Sequence, residues 1–310
     1  MPIRRDKLKQ LSRIGTYLKA VTLVALGRNP AGRGLTVFPD DIFVVSYFRS
    51  GSTWSRFLLG NFIHQHEPVV FTNMERLLPS IYSLPDRILR TLPRVIKSHE
   101  CFDPRYPRVI YLVRDPRDVA VSFYFYNLKV RVIPDGYLMD EFVTRFVAAN
   151  VVPYADRVGC WQDHVLSWIR LREGKPGFRV VRYEDLLADP AKELTKLAPM
   201  LGIDPTPARV QRAVQLSSAG HMQSLEKQQS KQWETTKDTR QDIPFVREGK
   251  SGGWRNKLSE GAVRTIEQAW GATMKELGYD LATDAFPDRE LVTGADRKSG
   301  GAPLGPIPPM

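Results

Sequence analysis

Cysteine is scarce: Cys101 and Cys160 are the only two in 310 residues. Two thiols cannot build a disulfide framework, and no CxxC spacing offers a zinc site, which excludes stapled miniature scaffolds. Such sparing use fits a reducing compartment, and a cytoplasmic location is expected. Long apolar runs are missing as well. The run from Tyr17 to Leu26 is interrupted by Lys19 and Thr22 and falls short of the roughly 20 residues that a spanning helix needs. No small-residue cleavage site follows it, so a secretory leader is not expected. No repeat of solenoid length is visible. The 22 glycines and 23 prolines keep no short period, which excludes a collagen-like chain. No carboxylate cluster is spaced to hold a metal ion, and none is expected.

What the chain does have is positive charge. Lys and Arg number 45 against 34 Asp and Glu, for a net charge of +11, which favours anionic partners: phosphate, sulfate, nucleic acid or a membrane surface. Apolar residues at 42% and charged residues at 25% are ordinary for a globular protein and too apolar for a disordered one. Three parts are expected: a basic N-terminal arm over 1–36, a main domain over 37–285 and a flexible Gly/Pro-rich tail over 286–310. The arm either packs on the core or rests on a membrane as a basic helix.

Within the main domain, short apolar runs alternate with helical patterns. Asp41 to Phe48, Arg94 to Lys97, Arg108 to Val113 and Phe178 to Tyr183 read as strands, several of them apolar on both faces. Helical spacing follows in Trp54, Phe57, Leu58 and Phe62, from about Pro116 to Tyr126, over Trp161 to Leu171, over Ala191 to Met200, and in Val263, Ile266, Trp270, Met274 and Leu277. The pattern predicts an α/β fold of three layers, a mostly parallel sheet with helices on both faces. Ligands of such sheets sit at the carboxyl ends of the strands, which directs attention to the loops after Phe48, Lys97 and Val113.

The first of these loops is Arg49-Ser50-Gly51-Ser52-Thr53. Amides at a helix start are unpaired and carry partial positive charge, a ready anion site. Gly51 admits close backbone approach, the hydroxyls add donors, and Arg49 adds a permanent, fork-shaped charge. The loop is P-loop-like, yet no Gly lies five residues before Gly51 and no Lys follows it, so the pattern for Mg²⁺-ATP is missing. A P-loop kinase or NTPase-like nucleotide-binding protein is the alternative reading, and a non-catalytic basic protein for nucleic acid or membrane is a third.

Four segments in order make the sequence resemble the sulfotransferases that use 3′-phosphoadenosine 5′-phosphosulfate (PAPS), in particular the cytosolic type. They are YFRSGSTW (Tyr47 to Trp54), RVIKSHE (Arg94 to Glu100), RVIYLVRDPRDVAVSFYFY (Arg108 to Tyr126) and REGKSGGWRN (Arg247 to Asn256), with RYEDLLADP (Arg182 to Pro190) between the last two. The resemblance implies PAPS as sulfuryl donor, release of PAP, a hydroxyl or amine acceptor, and no metal. By the same resemblance Ser50, Gly51, Ser52 and Thr53 bind the 5′-phosphate, and Trp54 and Tyr183 adjoin the adenine. Arg114, Ser122 and the loop of Arg247, Glu248 and Gly249 hold the 3′-phosphate, and Leu225 stands where the family often has an aromatic. Arg49 takes a position that is usually Lys, and Glu248 replaces a Lys of the usual Arg-Lys-Gly. In Lys97-Ser98-His99, His99 corresponds to the general base, a role suited to an imidazole titrating near neutrality, and Lys97 to a stabiliser of developing charge.

His64, His66, His164 and His221 lack such a context and read as structural. Asp115 and Asp118 read as helix-start and surface charges. The acceptor pocket is expected from Phe71 to Leu92 and Lys129 to Gly159, mixed enough for a hydroxyl-bearing small molecule, a lipid or a sugar on a lipid. No nucleic acid partner is expected. The oligomeric state is open, since the short C-terminal dimer motif of many cytosolic members is not evident around Lys257 to Glu267.

Overall fold

The computed structural model describes residues 35–82, 94–151 and 158–285. The basic arm up to residue 34, the tail from residue 286, and the parts of the expected acceptor walls at 83–92, with Arg87, and at 152–157 lie outside the described residues. Four strands, β1 (Ile42–Ser46), β2 (Val95–Ser98), β3 (Arg108–Val113) and β4 (Phe178–Arg182), form a sheet in the order β2-β1-β3-β4. Every pairing is parallel, as the apolar runs predicted.

Strand alternation divides the core into two faces. Phe43 and Val45 of β1 join Val109, Tyr111 and Val113 of β3 in one cluster. Ile42 and Val44 join Ile110 and Leu112 in the other. The first face is covered by α3 (Pro116–Lys129), α4 (Met139–Val147), α5 (Trp161–Arg172) and α10 (Glu260–Glu276). The second is covered by α1 (Ser52–Ile63), α2 (Met74–Leu77), α6 (Tyr183–Ala188), α7 (Pro190–Leu201), α8 (Pro207–Leu216) and α9 (Ala219–Gln229). This is the expected three-layer α/β architecture. Periodicity had not marked α2, α4, α8, α9 and α6. The last two bury few residues each, so their apolar stripe is thin.

Local chemistry fixes the ends of these elements. The Asp115 side chain caps α3 by accepting from the Arg117 amide at 2.9 Å, with Pro116 at the first turn. Arg117 ion-pairs with Asp115 and with Glu267 of α10 at 2.7 and 2.5 Å, which ties α3 to the C-terminal helix. At the opposite ends of the strands, buried Arg94 and Asp41 form an ion pair, with Arg94 Nε donating to Asp41 Oδ1 at 2.6 Å. From β1 the chain returns to both flanking strands, so the carboxyl end of β1 is the topological switch point of the sheet.

Candidate active site

The turn after β1 is built from unusual backbone. Arg49 has φ 62° and Gly51, the N-cap of α1, has φ 99°. A non-glycine residue in the left-handed region is uncommon and costs energy that its surroundings must offset. At Gly51 a side chain is barred twice, by the dihedral and by a Tyr183 ring carbon that would stand 2.5 Å from an added Cβ. The Ser50 Oγ is buried with no hydrogen-bond partner among the described residues. A buried hydroxyl left unsatisfied beside a helix N-terminus marks a place for a ligand oxygen.

This turn opens on a cavity of about 1010 Å³. Arg49, Gly51, Ser52, Thr53, Trp54, Lys97, His99, Arg114, Ser122, Tyr183, Arg247, Glu248 and Gly249, all named from sequence, line it. Ser50 lies buried just behind the lining. Leu225 does not line the cavity: it packs in the second-face core. Instead α9 turns Ala219 and Met222 toward the cavity, together with Ser217 and Ser218 before it. The Trp54 indole N–H donates to the Ser217 carbonyl at 2.9 Å, and its ring meets Tyr183 edge-on at 5.4 Å. Leu225 was placed at the site by resemblance alone, and Ser217-Ser218-Ala219 offers no aromatic signal that would have pointed to the preceding turn.

Three arginines converge. Arg49 donates through Nε to Ser122 Oγ at 3.2 Å, and its guanidinium lies over Tyr126 and Phe245, 4.8 and 4.5 Å from the ring centres. Arg114 stacks over Tyr183 at 4.2 Å and donates to the carbonyls of Arg49 and Lys250, both at 3.2 Å, while its Nε is buried without a partner. Arg247 lies over Phe125 at 4.5 Å. None of the three makes an ion pair among the described residues. Burial pulls Arg49 down to about 10, with Arg247 and Arg114 adding repulsion. Burial also lowers Arg247, and Arg114 lowers it further. Crowded, buried cations of this kind await an anion.

His99 and Lys97 stand at the end of β2. The His99 Nδ1 lies 2.7 Å from the Ser46 carbonyl oxygen. That oxygen can only accept, so Nδ1 carries the hydrogen and Nε2 keeps a lone pair. Burial first, and Lys97 second, hold His99 well below the usual imidazole range. Lys97 is pulled down to about 7 by burial, with Arg56 and Arg49 contributing. Behind His99, His164 donates through Nε2 to the His99 carbonyl at 3.1 Å and accepts from the Tyr111 hydroxyl at 2.9 Å. It braces the backbone and does not line the cavity.

Asp118 is corrected from a surface charge to a buried anchor. Its carboxylate accepts from the amides of Gly252 and Trp254 at 2.7 and 3.0 Å, fixing the glycine-rich loop that carries Arg247 to Gly249. Asp115 is buried too, between its cap and Arg117. Among the described residues no group of three or more His, Cys, Asp or Glu could hold a metal ion. No described helix is long and apolar enough to cross a membrane.

Comparison with known proteins agrees with this geometry. A family model described as Sulfotransferase domain matches residues 39–278. Sulfotransferase 1E1 of Rattus norvegicus is 30% identical over 263 residues, covering 77% of this chain and 84% of its own. The Homo sapiens protein of the same name is 30% identical over 270 residues, covering 79% and 87%. Among solved structures, retinol dehydratase in complex with androsterone and the inactive cofactor PAP superposes with a TM-score of 0.65 at 20% identity, covering 86% of this chain and 87% of that one. Mouse sulfotransferase SULT7A1 complexed with PAP superposes at 0.59 with 23% identity, covering 87% and 94%. At those identities the superpositions establish the fold.

Proposed function

This chain belongs to the sulfotransferase family and is an enzyme that transfers a sulfuryl group from PAPS; from that premise we propose which of its residues hold the donor, which move the proton, and what kind of acceptor it takes. The observation that carries the assignment is one cavity that gathers three arginines without ion-pair partners among the described residues and a neutral imidazole at the switch point of the sheet, with the unsatisfied Ser50 hydroxyl behind its lining. The P-loop kinase or NTPase reading is not favoured.

PAPS, when bound, supplies an activated sulfuryl group on a phosphate leaving group. The amides and hydroxyls of Ser50, Gly51, Ser52 and Thr53 hold the 5′-phosphate, with the partnerless Ser50 Oγ as one donor. Arg114, with Ser122 and the loop of Arg247, Glu248 and Gly249, holds the 3′-phosphate. Glu248 adds no positive charge there, so the amides of that loop contribute in its place. Trp54 and Tyr183 flank the adenine, and Met222 and Ala219 take the place assigned to Leu225. Arg49 and Lys97 neutralise charge that grows as the sulfuryl group moves. His99 accepts the proton of the attacking hydroxyl at Nε2, since Nδ1 is engaged with Ser46.

The cavity lining also includes Phe48, Tyr82, Phe123 and Tyr126, with the Phe48 ring 4.6 Å from that of His99. Aromatic walls beside one reactive polar group suit a hydroxyl-bearing small molecule with an apolar body. The domain that does this work is residues 37–285, and the cytoplasm is its location. A calorimetric titration tests the donor site. Wild type should bind PAP, and Arg114→Ala should weaken PAP at least tenfold more than adenosine 5′-phosphate. Equal losses for both nucleotides, or tight Mg²⁺-ATP binding without PAP binding, would contradict the assignment.

A further inference from the structure

Arg49 stands where the family usually has Lys, and its flat guanidinium needs a defined orientation that a compact ammonium does not. The orientation comes from Ser122, whose Oγ accepts from the Arg49 Nε at 3.2 Å, and from Phe245 and Tyr126, whose rings it faces at 4.5 and 4.8 Å. Tyr126 sits on α3, but Phe245 belongs to a strap with no regular secondary structure. Two buried side chains of opposite charge grip that strap from the body of the domain. Glu226 of α9, 7% exposed, accepts from the amides of Phe245 and Val246 at 2.6 and 2.8 Å, one with each carboxylate oxygen. Lys129, the last residue of α3 and 1% exposed, donates through Nζ to the carbonyls of Arg240 and Ile243 at 2.8 and 2.7 Å. The Arg240 amide donates back to the Lys129 carbonyl at 3.0 Å. A carboxylate that accepts from two backbone amides and an ammonium that donates to two backbone carbonyls form strong, charge-assisted bonds that hold the strap by its main chain.

We propose that Glu226 and Lys129 are positioning residues for sulfuryl transfer: they staple the 240–246 strap so that Phe245 clamps Arg49 in the orientation the moving sulfuryl group requires. The inference rests on the donor site described above. Neither residue lines the cavity, so neither touches the reacting atoms. Glu226 acts through Phe245, and Phe245 acts through Arg49. The staple governs the transfer step more than nucleotide affinity: Arg247 follows the strap directly, but its loop is anchored separately by Asp118 through the Gly252 and Trp254 amides, and Arg114, Ser122 and the turn at Ser50 hold the nucleotide from other elements.

The test uses the full chain and three readouts: amide hydrogen exchange over 240–250, calorimetric titration with PAP, and breakdown of saturating PAPS to PAP and sulfate with water as acceptor, followed by chromatography. In Glu226→Gln, exchange at Phe245 and Val246 should accelerate at least tenfold. PAP affinity should change by less than threefold, and PAPS breakdown should slow at least tenfold. Phe245→Leu should slow breakdown equally with exchange unchanged, and the double variant should be no slower than Phe245→Leu alone. Wild-type breakdown in Glu226→Gln despite faster exchange, or additive losses in the double variant, would overturn the staple. Should Glu226→Gln unfold below the assay temperature, Phe245→Leu decides: wild-type breakdown there overturns the clamp. Failure of the wild type to bind PAP would instead count against the donor site itself.

Discussion

Lys97 shows how burial prepares a single side chain for an anion. Loss of solvent and the nearby arginines bring it to about 7, so at pH 8 the ligand-free protein holds it mostly neutral. A phosphate or sulfuryl group beside it favours the charged form. Binding of PAP at pH 8 should therefore draw a proton from the buffer, read as a difference in calorimetric enthalpy between buffers of unlike ionisation heat. Equal enthalpies would contradict it. The same shift has a stability sign. Between about pH 7 and the ordinary lysine value of 10.5 the unfolded chain binds a proton that the folded chain does not, so this group makes the free protein more stable as pH rises through that window. Below about pH 7 both states are protonated and the contribution has no further slope. Lys97 and His99 were legible in the sequence because Lys-Ser-His closes a short strand and resembles the corresponding segment of the family. Ser217, Ala219 and Met222 were not, since nothing in a Ser-Ser-Ala run distinguishes a ligand wall from any helix start.

The turn between β1 and α1 concentrates the requirements of the site in one short segment. Arg49 and Gly51 both have positive φ, and Tyr183 presses against Gly51 from the start of α6. Gly51→Ala should destabilise the fold by about 1–3 kcal/mol and displace Tyr183 from the nucleotide side of the cavity. A melting curve and a PAP titration would show both losses together, whereas a loss of stability with unchanged affinity would separate Tyr183 from the nucleotide. Strands β1 and β3 could be read from sequence because strands buried on both faces are nearly all apolar; β4, an edge strand with Arg179 and Val180 exposed, could be read from its Val-Val pair beside Phe178. The strap over 240–246 could not. It owes its course to Lys129 and Glu226, whose bonds to it reach across more than a hundred positions and across 19 and 20 positions respectively, and such pairings leave no periodic trace.

Across the molecule, the end of the sheet that bears the site and the end that secures it are distinct. The Arg94–Asp41 pair joins the residues just before β2 and β1, with side chains 5% and 1% exposed. Asp41→Ala leaves a buried guanidinium unpaired and should cost about 3–5 kcal/mol in urea unfolding, while the activity per folded molecule stays at the wild-type value. A reduced specific activity would show that the two ends are coupled. The central claim, that this cavity passes a sulfuryl group to an acceptor deprotonated by His99, meets its most direct test in one experiment. Wild type and His99→Ala are each incubated with PAPS and a panel of phenols, sterols and alcohols, and products are read by mass spectrometry. The expected result is an acceptor heavier by one sulfuryl group, with an equal amount of PAP, from wild type only, while His99→Ala still binds PAP. Undiminished sulfation by a folded His99→Ala protein would contradict the account.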